Sequence, residues 1–353
     1  MYITGGCNFY EKLKANYRKM NIVKVSAIIS VYNSEKFIKR RIENLLEQKI
    51  VDQLEIIVII SGSEQNEGSI VKKYCEMYNN IRYIKTNNRE TIYKAWNRGI
   101  RIAKGKYITN ANTDDLLRTD ALEILSNKLD SDITIGLVYG DQYITHSTES
   151  SFKDVQFLKR VYKLDYSPFR LLWRNIVGSQ PMWRASIHFD NNIWFNENFE
   201  VSGDSEFEFR VSQKYKLRRV PEILGIYYKS LNDENKEFQD RELTKSESLS
   251  VKEKSARCYI EGLEVNDFNK MKWKILFNLL LPRIIYSSFR IIIEKFKPYK
   301  QVPPRIFWYW FASLYYEYKG NLQKAQRYCK KYIYSIDNHL ILRQYEHLKS
   351  LKV

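Results

Sequence analysis

The sequence is poor in the residues that build special sites or special architectures. Its 353 residues include 4 His, 4 Cys, 13 Gly and 7 Pro. Cys7, Cys75, Cys258 and Cys329 form no Cys-x-x-Cys pair and have no His at metal-ligand spacing, which argues against a zinc site. Scattered thiols in a chain of this length point to a reducing compartment. His146, His188, His339 and His347 share no spacing and read as structural. The hydrophobic fraction is 44%, so the collagen-like, low-complexity and disordered classes are excluded. Long apolar runs are missing too. The most apolar stretch, residues 275–296, is broken by Arg283 and Arg290, whereas a spanning helix needs ~20 apolar residues with few or no charges. Residues 1–22 hold no apolar core of signal-peptide length, so no secretion signal is expected.

Acidic residues are outnumbered: 58 Lys+Arg face 41 Asp+Glu, a net +17. Residues 270–353 hold 17 Lys+Arg and 4 Asp+Glu, or +13, which leaves +4 for the other 269 residues. The basicity therefore belongs to the C-terminal quarter. Such a surplus fits nucleic acid, an anionic membrane surface or an anionic substrate. No nucleic-acid motif accompanies the charge, so an anionic membrane surface is the expected partner and nucleic acid is not.

What the chain does have, from Val23 to about Gly140, is an alternation of short apolar runs and amphipathic stretches. Strands are expected at 25–31, 54–60, 81–86 and 106–111, and helices at 34–48, 68–78 and 90–103. Ser34 reads as a helix cap, with Phe37, Ile38, Ile42, Leu45 and Leu46 on one face. The alternation predicts a parallel, doubly wound sheet. Ligands of such sheets bind beyond the strands' carboxyl ends. That geometry points to Val31-Tyr32-Asn33, to Ile60-Ser61-Gly62-Ser63 and to Asn112-Thr113-Asp114-Asp115.

Two acidic positions stand out. Asp114-Asp115 ends a buried run and could hold a hard divalent cation through oxygen. Alternatively the pair forms an Asx-type turn and caps a helix starting near Leu116. Asp204 enters a helix over 202–213, where an N-terminal capping role is the plain alternative to catalysis. Trp96 reads as core, and Arg98 as a solvated face or a diphosphate contact. Residues 178–183, GSQPMW, read from the residues alone as a loop that packs Trp183 into the core.

The order of these segments resembles the family-2 glycosyltransferases over roughly residues 24–230. The matching segments are VSAIISVYNSEKFIKRRIENLLEQ, EIIVIISGSEQNEGS, AWNRGIRIAKGKYITNANTDDLLRTDAL and GSQPMWRASIHF with WFNENFEVSGDSEFEFRVSQ. The resemblance implies a GT-A (Rossmann-like) mixed sheet flanked by helices, followed by an all-helical C-terminal region. It implies three parts: an extension over 1–22, a catalytic domain over 23–232 and a basic, aromatic-rich helical part over 233–353. It assigns Val31, Tyr32, Asn33, Ser61, Asn112, Thr113 and Asp114 to the donor, and Asp114 with Asp115 to Mg²⁺ or Mn²⁺. Asp204 becomes the general base of an inverting transfer, and Gln180, Trp183 and Gly203 line the acceptor side. The implied partners are a nucleotide-sugar donor, expected to be a UDP-sugar, and a glycan or lipid-linked acceptor in surface polysaccharide or glycoconjugate assembly. A cytoplasmic enzyme, peripheral at the inner face of the plasma membrane, is expected.

Two positions depart from the family's pattern. Ile60-Ser61 stands where an acidic pair is usual, and an Ile accepts no hydrogen bond from a nucleobase. Asn112 stands for the first Asp of Asp-x-Asp. These departures motivate the competing expectation of a degenerate, non-catalytic binding or scaffold protein. A nucleotidyltransferase would need a Gly loop after the first strand, and residues 30–36 have none.

In the C-terminal part, Pro282 opens a helix whose Arg283, Ser287, Arg290, Glu294 and Lys297 recur at steps of 4, 3, 4 and 3. That polar stripe suits a core helix or one laid in a membrane interface. Pro303-Pro304 starts a further aromatic helix ended by Gly320. The offsets from Ser313 to Asp337 resemble one tetratricopeptide repeat, and a helical hairpin with an aromatic core is expected.

Overall fold

A computed structural model describes residues 23–154, 156–173, 175–231, 240–261, 304–330 and 339–351. The expectations for residues 1–22, for the helix opened by Pro282 and for Asp337 lie outside these residues. By internal contacts the chain divides into two compact units. One comprises Met1–Tyr166 and Ile176–Thr244, the other Ser167–Asn175 and Lys245–Val353.

The first unit is built on one sheet. Strands β1 (Val25–Val31), β2 (Leu54–Ser61), β3 (Ile81–Thr86) and β4 (Tyr107–Asn110) are joined by helices α1 (Glu35–Leu46), α2 (Glu67–Met77) and α3 (Ile92–Ile102). These four strands are parallel in the order β3-β2-β1-β4. The alternation of apolar runs and helices therefore sets this half, as expected. The other half contains β5 (Leu116–Leu117), β6 (Ile135–Thr145), β7 (Lys159–Val161), β8 (Met182–Arg184) and β9 (Lys216–Tyr228). There β8 runs antiparallel to both β4 and β6, and β9 pairs parallel with β6 and antiparallel with β5. The sheet is mixed, as the GT-A expectation requires.

Alternate residues of a strand face opposite sides, and both sides are covered. On one side Val25, Ala27, Ile29 and Val31 of β1 join Ile38, Ile42 and Leu45 of α1 and Leu122, Leu125 and Leu129 of α4 (Ala121–Asp130). Each such aliphatic side chain adds ~1.5–3 kcal/mol on full burial. On the other side an aromatic cluster gathers Tyr93 and Trp96 of α3 with Phe195, Trp183 and Phe207. Trp96 is thus core, as its sequence context suggests. Arg98 is partly exposed and pairs with Glu90 through two nitrogens.

Two local expectations are corrected. Ser34 sits at the start of α1, but its hydroxyl donates to the Tyr32 carbonyl and makes no capping bond. No helix begins near Leu116. Leu116-Leu117 is strand β5, paired to Ile226 and Gly225 of β9, and the next helix starts at Ala121. Asp114-Asp115 therefore caps no helix there.

In the second unit, α9 (Pro304–Tyr318) packs on α10 (Leu322–Lys330) and α11 (His339–Ser350). Gly320 closes α9 at φ +75°. Trp310, Phe311, Leu314 and Tyr315 are buried against Ala325 and Cys329 as an aromatic core. Glu317 gathers Arg257, Gln344 and His347 around one carboxylate. No helix among the described residues is long and apolar enough to cross a membrane.

Candidate active site

The turns that follow the parallel strands share one end of the sheet. After β1, Val31 is buried and Tyr32 is 38% exposed. The Arg89 guanidinium lies over the Tyr32 ring, 4.2 Å from its centroid, a contact worth ~0.5–1 kcal/mol at an exposed site. Asn33 adopts φ +47°, a left-handed conformation that Asn tolerates better than most residues. Its N–H donates to Ser63 Oγ at 3.1 Å, and its Oδ1 accepts from the N–H of Glu64 at 3.3 Å. The buried Glu67 carboxylate then accepts from Ser63 Oγ at 2.7 Å and from the Ser34 N–H at 2.7 Å. A tied polar network thus fixes the β1 and β2 turns relative to each other. Ser61 is buried, and its hydroxyl accepts the Glu90 N–H at 2.5 Å. Ile60 is in the core. The end of β2 therefore offers a nucleobase neither an acid nor a free hydroxyl at these two positions.

At the end of β4, Asn112, Thr113 and Asp114 are half-buried and Asp115 is fully buried. Asp115 accepts from the Tyr228 N–H at 3.1 Å and from Asn112 Nδ2 at 3.5 Å. Asn112 Oδ1 is buried with no hydrogen-bond partner. Beneath the turn lies Arg41 of α1, also fully buried. Its guanidinium donates to Asn44 Oδ1 at 3.0 Å and to Gln180 Oε1 at 3.4 Å. Burial lowers the Arg41 pKa to about 10, against the opposing pull of Asp115 and Asp114. Burial raises Asp115, and repulsion from Asp114 adds to the rise.

Residues 178–180 pack against the end of β4 and against β5. Asn110 Nδ2 donates to the Ser179 carbonyl at 2.9 Å, and Gln180 Nε2 donates to the Leu116 carbonyl at 3.2 Å. Gly178 has φ +92°, and a side chain there would meet Lys163 Nζ at 2.5 Å. Asp204 occupies the first turn of α7 (Gly203–Ser212), half-buried, with Oδ1 accepting the Ser205 N–H at 2.7 Å. Gly203 is buried, and a Cβ there would run into the Tyr93 ring at 2.8 Å. The start of α7 is therefore seated on α3. Trp183, one of the expected acceptor-side residues, points away from any such surface. It is 2% exposed, and its Nε1 donates to His188 Nε2 at 2.7 Å. Of the two readings of GSQPMW, core packing describes Trp183, while Gln180 braces Arg41 and β5. Burial drives His188 down to about 3, so its imidazole is a neutral acceptor.

Sequence reasoning missed Arg41, Glu67, Lys163 and Glu208. Arg41 lies in the run Lys39-Arg40-Arg41, which looks like a solvated face. The one available signal was its place between Ile38 and Leu45 on the apolar stripe of α1.

Among the described residues no group of three or more His, Cys, Asp and Glu gathers as a metal cluster. The donors at the end of β4 nevertheless fit a hard divalent cation. Asp114 supplies a carboxylate, and the Asn112 amide oxygen lacks a partner. Mg²⁺ typically takes one or two carboxylates and leaves other positions to water and phosphate.

Comparison with known proteins agrees with this layout. Residues 26–181 match the family described as Glycosyl transferase family 2. The chain is 31% identical over 118 residues to "Glycosyltransferase GlyG" of Streptococcus pneumoniae, covering 33% of this chain and 39% of that one. It is 28% identical over 211 residues to a poly(ribitol-phosphate) beta-glucosyltransferase of Bacillus spizizenii, covering 58% of this chain and 32% of that protein. The chain thus spans between a third and two fifths of the length of these curated relatives. Among solved structures, S. aureus TarS 1–349 in complex with UDP-GlcNAc superposes with a TM-score of 0.58 at 14% identity, over 93% of this chain and 90% of that one. At that identity the likeness speaks for the fold. Residues 26–181 thus match the model of glycosyltransferase family 2, and the fold is that of the GT-A type.

Proposed function

We propose that this chain transfers a sugar from a nucleoside-diphosphate-sugar donor to an acceptor hydroxyl, with inversion at the anomeric carbon, in the assembly of a surface polysaccharide or teichoic acid-type polymer. The observation that carries the reading is the pairing of two acids with different settings. Asp114 stands at a strand's carboxyl end beside the unpartnered Asn112 oxygen. Asp204 stands half-buried at the start of a helix. Their roles differ accordingly. Asp114, with Asn112, would hold a Mg²⁺ or Mn²⁺, and Asp115 supports them from the interior. When bound, that cation supplies Lewis-acid stabilisation to the departing diphosphate.

The remaining chemistry belongs to the chain's own residues. Tyr32 and Asn33 border the nucleoside, and Arg89 offers donors over the Tyr32 face. Asp204 takes the proton of the acceptor hydroxyl as its oxygen attacks, a contribution of ~10²–10⁴-fold for a well-placed base. One base and one displacement give inversion. The polymer class is supported by relatives such as the poly(ribitol-phosphate) beta-glucosyltransferase and a minor teichoic acid biosynthesis protein of Bacillus subtilis. UDP-GlcNAc, named in the structure that superposes at 0.58, makes a UDP-sugar the first donor to try. The basic C-terminal part supports an anionic membrane surface as the place of action.

The test is a panel of nucleotide sugars incubated with the protein, with Mn²⁺ or with chelator, while free nucleoside diphosphate is measured. One donor should be cleaved in a Mn²⁺-dependent way, faster when a polyol-phosphate or glycan acceptor is present. Binding without any cleavage across the panel would favour the non-catalytic scaffold.

A further inference from the structure

Glu208 has no part in the reading above, yet its surroundings are unusual for a carboxyl. It lies four residues beyond Asp204 on α7, and so on the same helical face. Its side chain is 2% exposed, and Oε2 has no hydrogen-bond partner. A buried ionised oxygen without a donor is costly. Two charged groups act on it, the Asp204 carboxylate and the Lys163 ammonium, with opposite signs. Lys163 is the same ammonium that lies against Gly178 in the 178–180 segment. The other charges nearby are already matched. On β6 and β9, against which α7 packs, Asp141 and Arg219 form a two-point pair. On α7 itself, Glu206 holds Arg210. Burial first, and Asp204 second, keep the Glu208 carboxyl well above the usual carboxylate range. Asp204, at the start of the helix, is the more exposed of the two acids.

We propose that Glu208 is a positioning residue for Asp204: one turn apart, with Lys163 acting on the site, the two carboxyls share a single negative charge, and ionisation of Glu208 sets how strong a base Asp204 is. The proposal rests on Asp204 as the base. In the transfer step the acceptor O–H bond breaks and its proton goes to Asp204. The oxygen's electron pair forms the new bond to the anomeric carbon, and the nucleoside diphosphate leaves with the old bonding pair. Glu208 gains and loses nothing in that step. Once Glu208 is ionised, its charge raises the proton affinity of Asp204, and the base becomes stronger.

Carboxyl carbon-13 NMR of the labelled full chain tests this without any need for transfer activity. The Asp204 resonance is identified by its loss in Asp204→Asn. In the wild type it should move in two steps, a main one in acid and a smaller one as Glu208 ionises. In Glu208→Gln the second step should vanish. Identical titrations in the two proteins would overturn the proposal. If the variant fails to fold, a single-step wild-type titration overturns it equally.

Melting provides a second readout. The Glu208 pKa is higher in the folded state than in the unfolded one, so the unfolded chain loses this proton first as pH rises. Stability therefore falls from about pH 4.3 upward until the folded value is passed. Glu208→Gln removes this loss and should melt higher than the wild type, by a margin that grows with pH. A Glu208 with a merely structural role predicts a variant that melts lower at every pH. In kcat/KM profiles the wild type should outpace Glu208→Gln several-fold on the alkaline side, well inside the range a positioned base supplies. Equal profiles beside a two-step NMR titration would remove the base role of Asp204 and leave the carboxyl pair standing.

Discussion

Asp204→Asn should fold, bind donor and transfer sugar ~10²–10⁴-fold more slowly than the wild type. Asn is isosteric with Asp and keeps an Oδ1 to accept the Ser205 N–H, the bond seen at 2.7 Å. The local helix start is therefore retained. What disappears is the negative charge that makes the oxygen a base. The expected signature is a fall in kcat with little change in donor affinity, because the interaction lost belongs to the transition state. If Asp204 only settled the helix terminus, the variant would keep its rate and lose at most ~1 kcal/mol of stability. Full activity would end the assignment of Asp204 as base.

The second large effect is on stability. Arg41→Met should cost about 1–3 kcal/mol in urea unfolding at neutral pH, the range for leaving buried polar partners unsatisfied. Met matches much of the Arg stem and fills the same place between Ile38, Ile42 and Leu45. The deficit would come from the Asn44 and Gln180 oxygens that lose its hydrogen bonds and from the Asp115 carboxyl whose charge it opposes. Asp115 is fully buried, is repelled by Asp114 and has Arg41 as its compensating charge. Burial and Asp114 already raise Asp115 to about 8, and without the Arg41 charge it holds its proton to still higher pH, while Gln180 Oε1 loses the Arg41 donor. A second variant apportions the effect: Asp115→Asn added to Arg41→Met should recover part of the loss, and the double-mutant cycle measures the coupling. A loss below ~1 kcal/mol, or strict additivity, would show that the two groups do not depend on each other.

The half of the fold that was legible in the sequence is the locally encoded half. β1 to β4 and α1 to α3 follow from apolar runs that alternate with amphipathic stretches, and the acids at strand and helix ends follow from where those runs stop. The rest depends on pairings distant in sequence. Leu116-Leu117 becomes a strand because residues 225 and 226 lie beside it, more than a hundred positions away. The hydroxyl of Ser34 donates to the Tyr32 carbonyl, while its backbone N–H donates to Glu67, 33 positions away. Glu208 has no local signal for complete burial, and Arg41 has only its place on the apolar stripe of α1. Trp183 stands in a segment that is exposed or buried according to where Phe195 and Phe207 pack. The charged groups around the site were thus the least legible, because their setting is created by contacts between segments.

The departures at Ile60 and Asn112 bear on the donor and leave the catalytic logic intact. With Ile60 in the core and Ser61 committed to Glu90, the proposed reading leaves recognition of the base to Tyr32, Asn33 and Arg89. With Asn112 neutral, the charge available to a cation at the end of β4 rests on Asp114, with Asp115 behind it. The account therefore depends most on a single carboxylate, and calorimetric titration tests it directly. UDP-GlcNAc, or whichever donor the panel selects, is titrated into wild type and Asp114→Asn, each with Mn²⁺ and with chelator. Binding to the wild type should require Mn²⁺ and should be lost in Asp114→Asn. Equal donor binding by both proteins, with or without the metal, would contradict it.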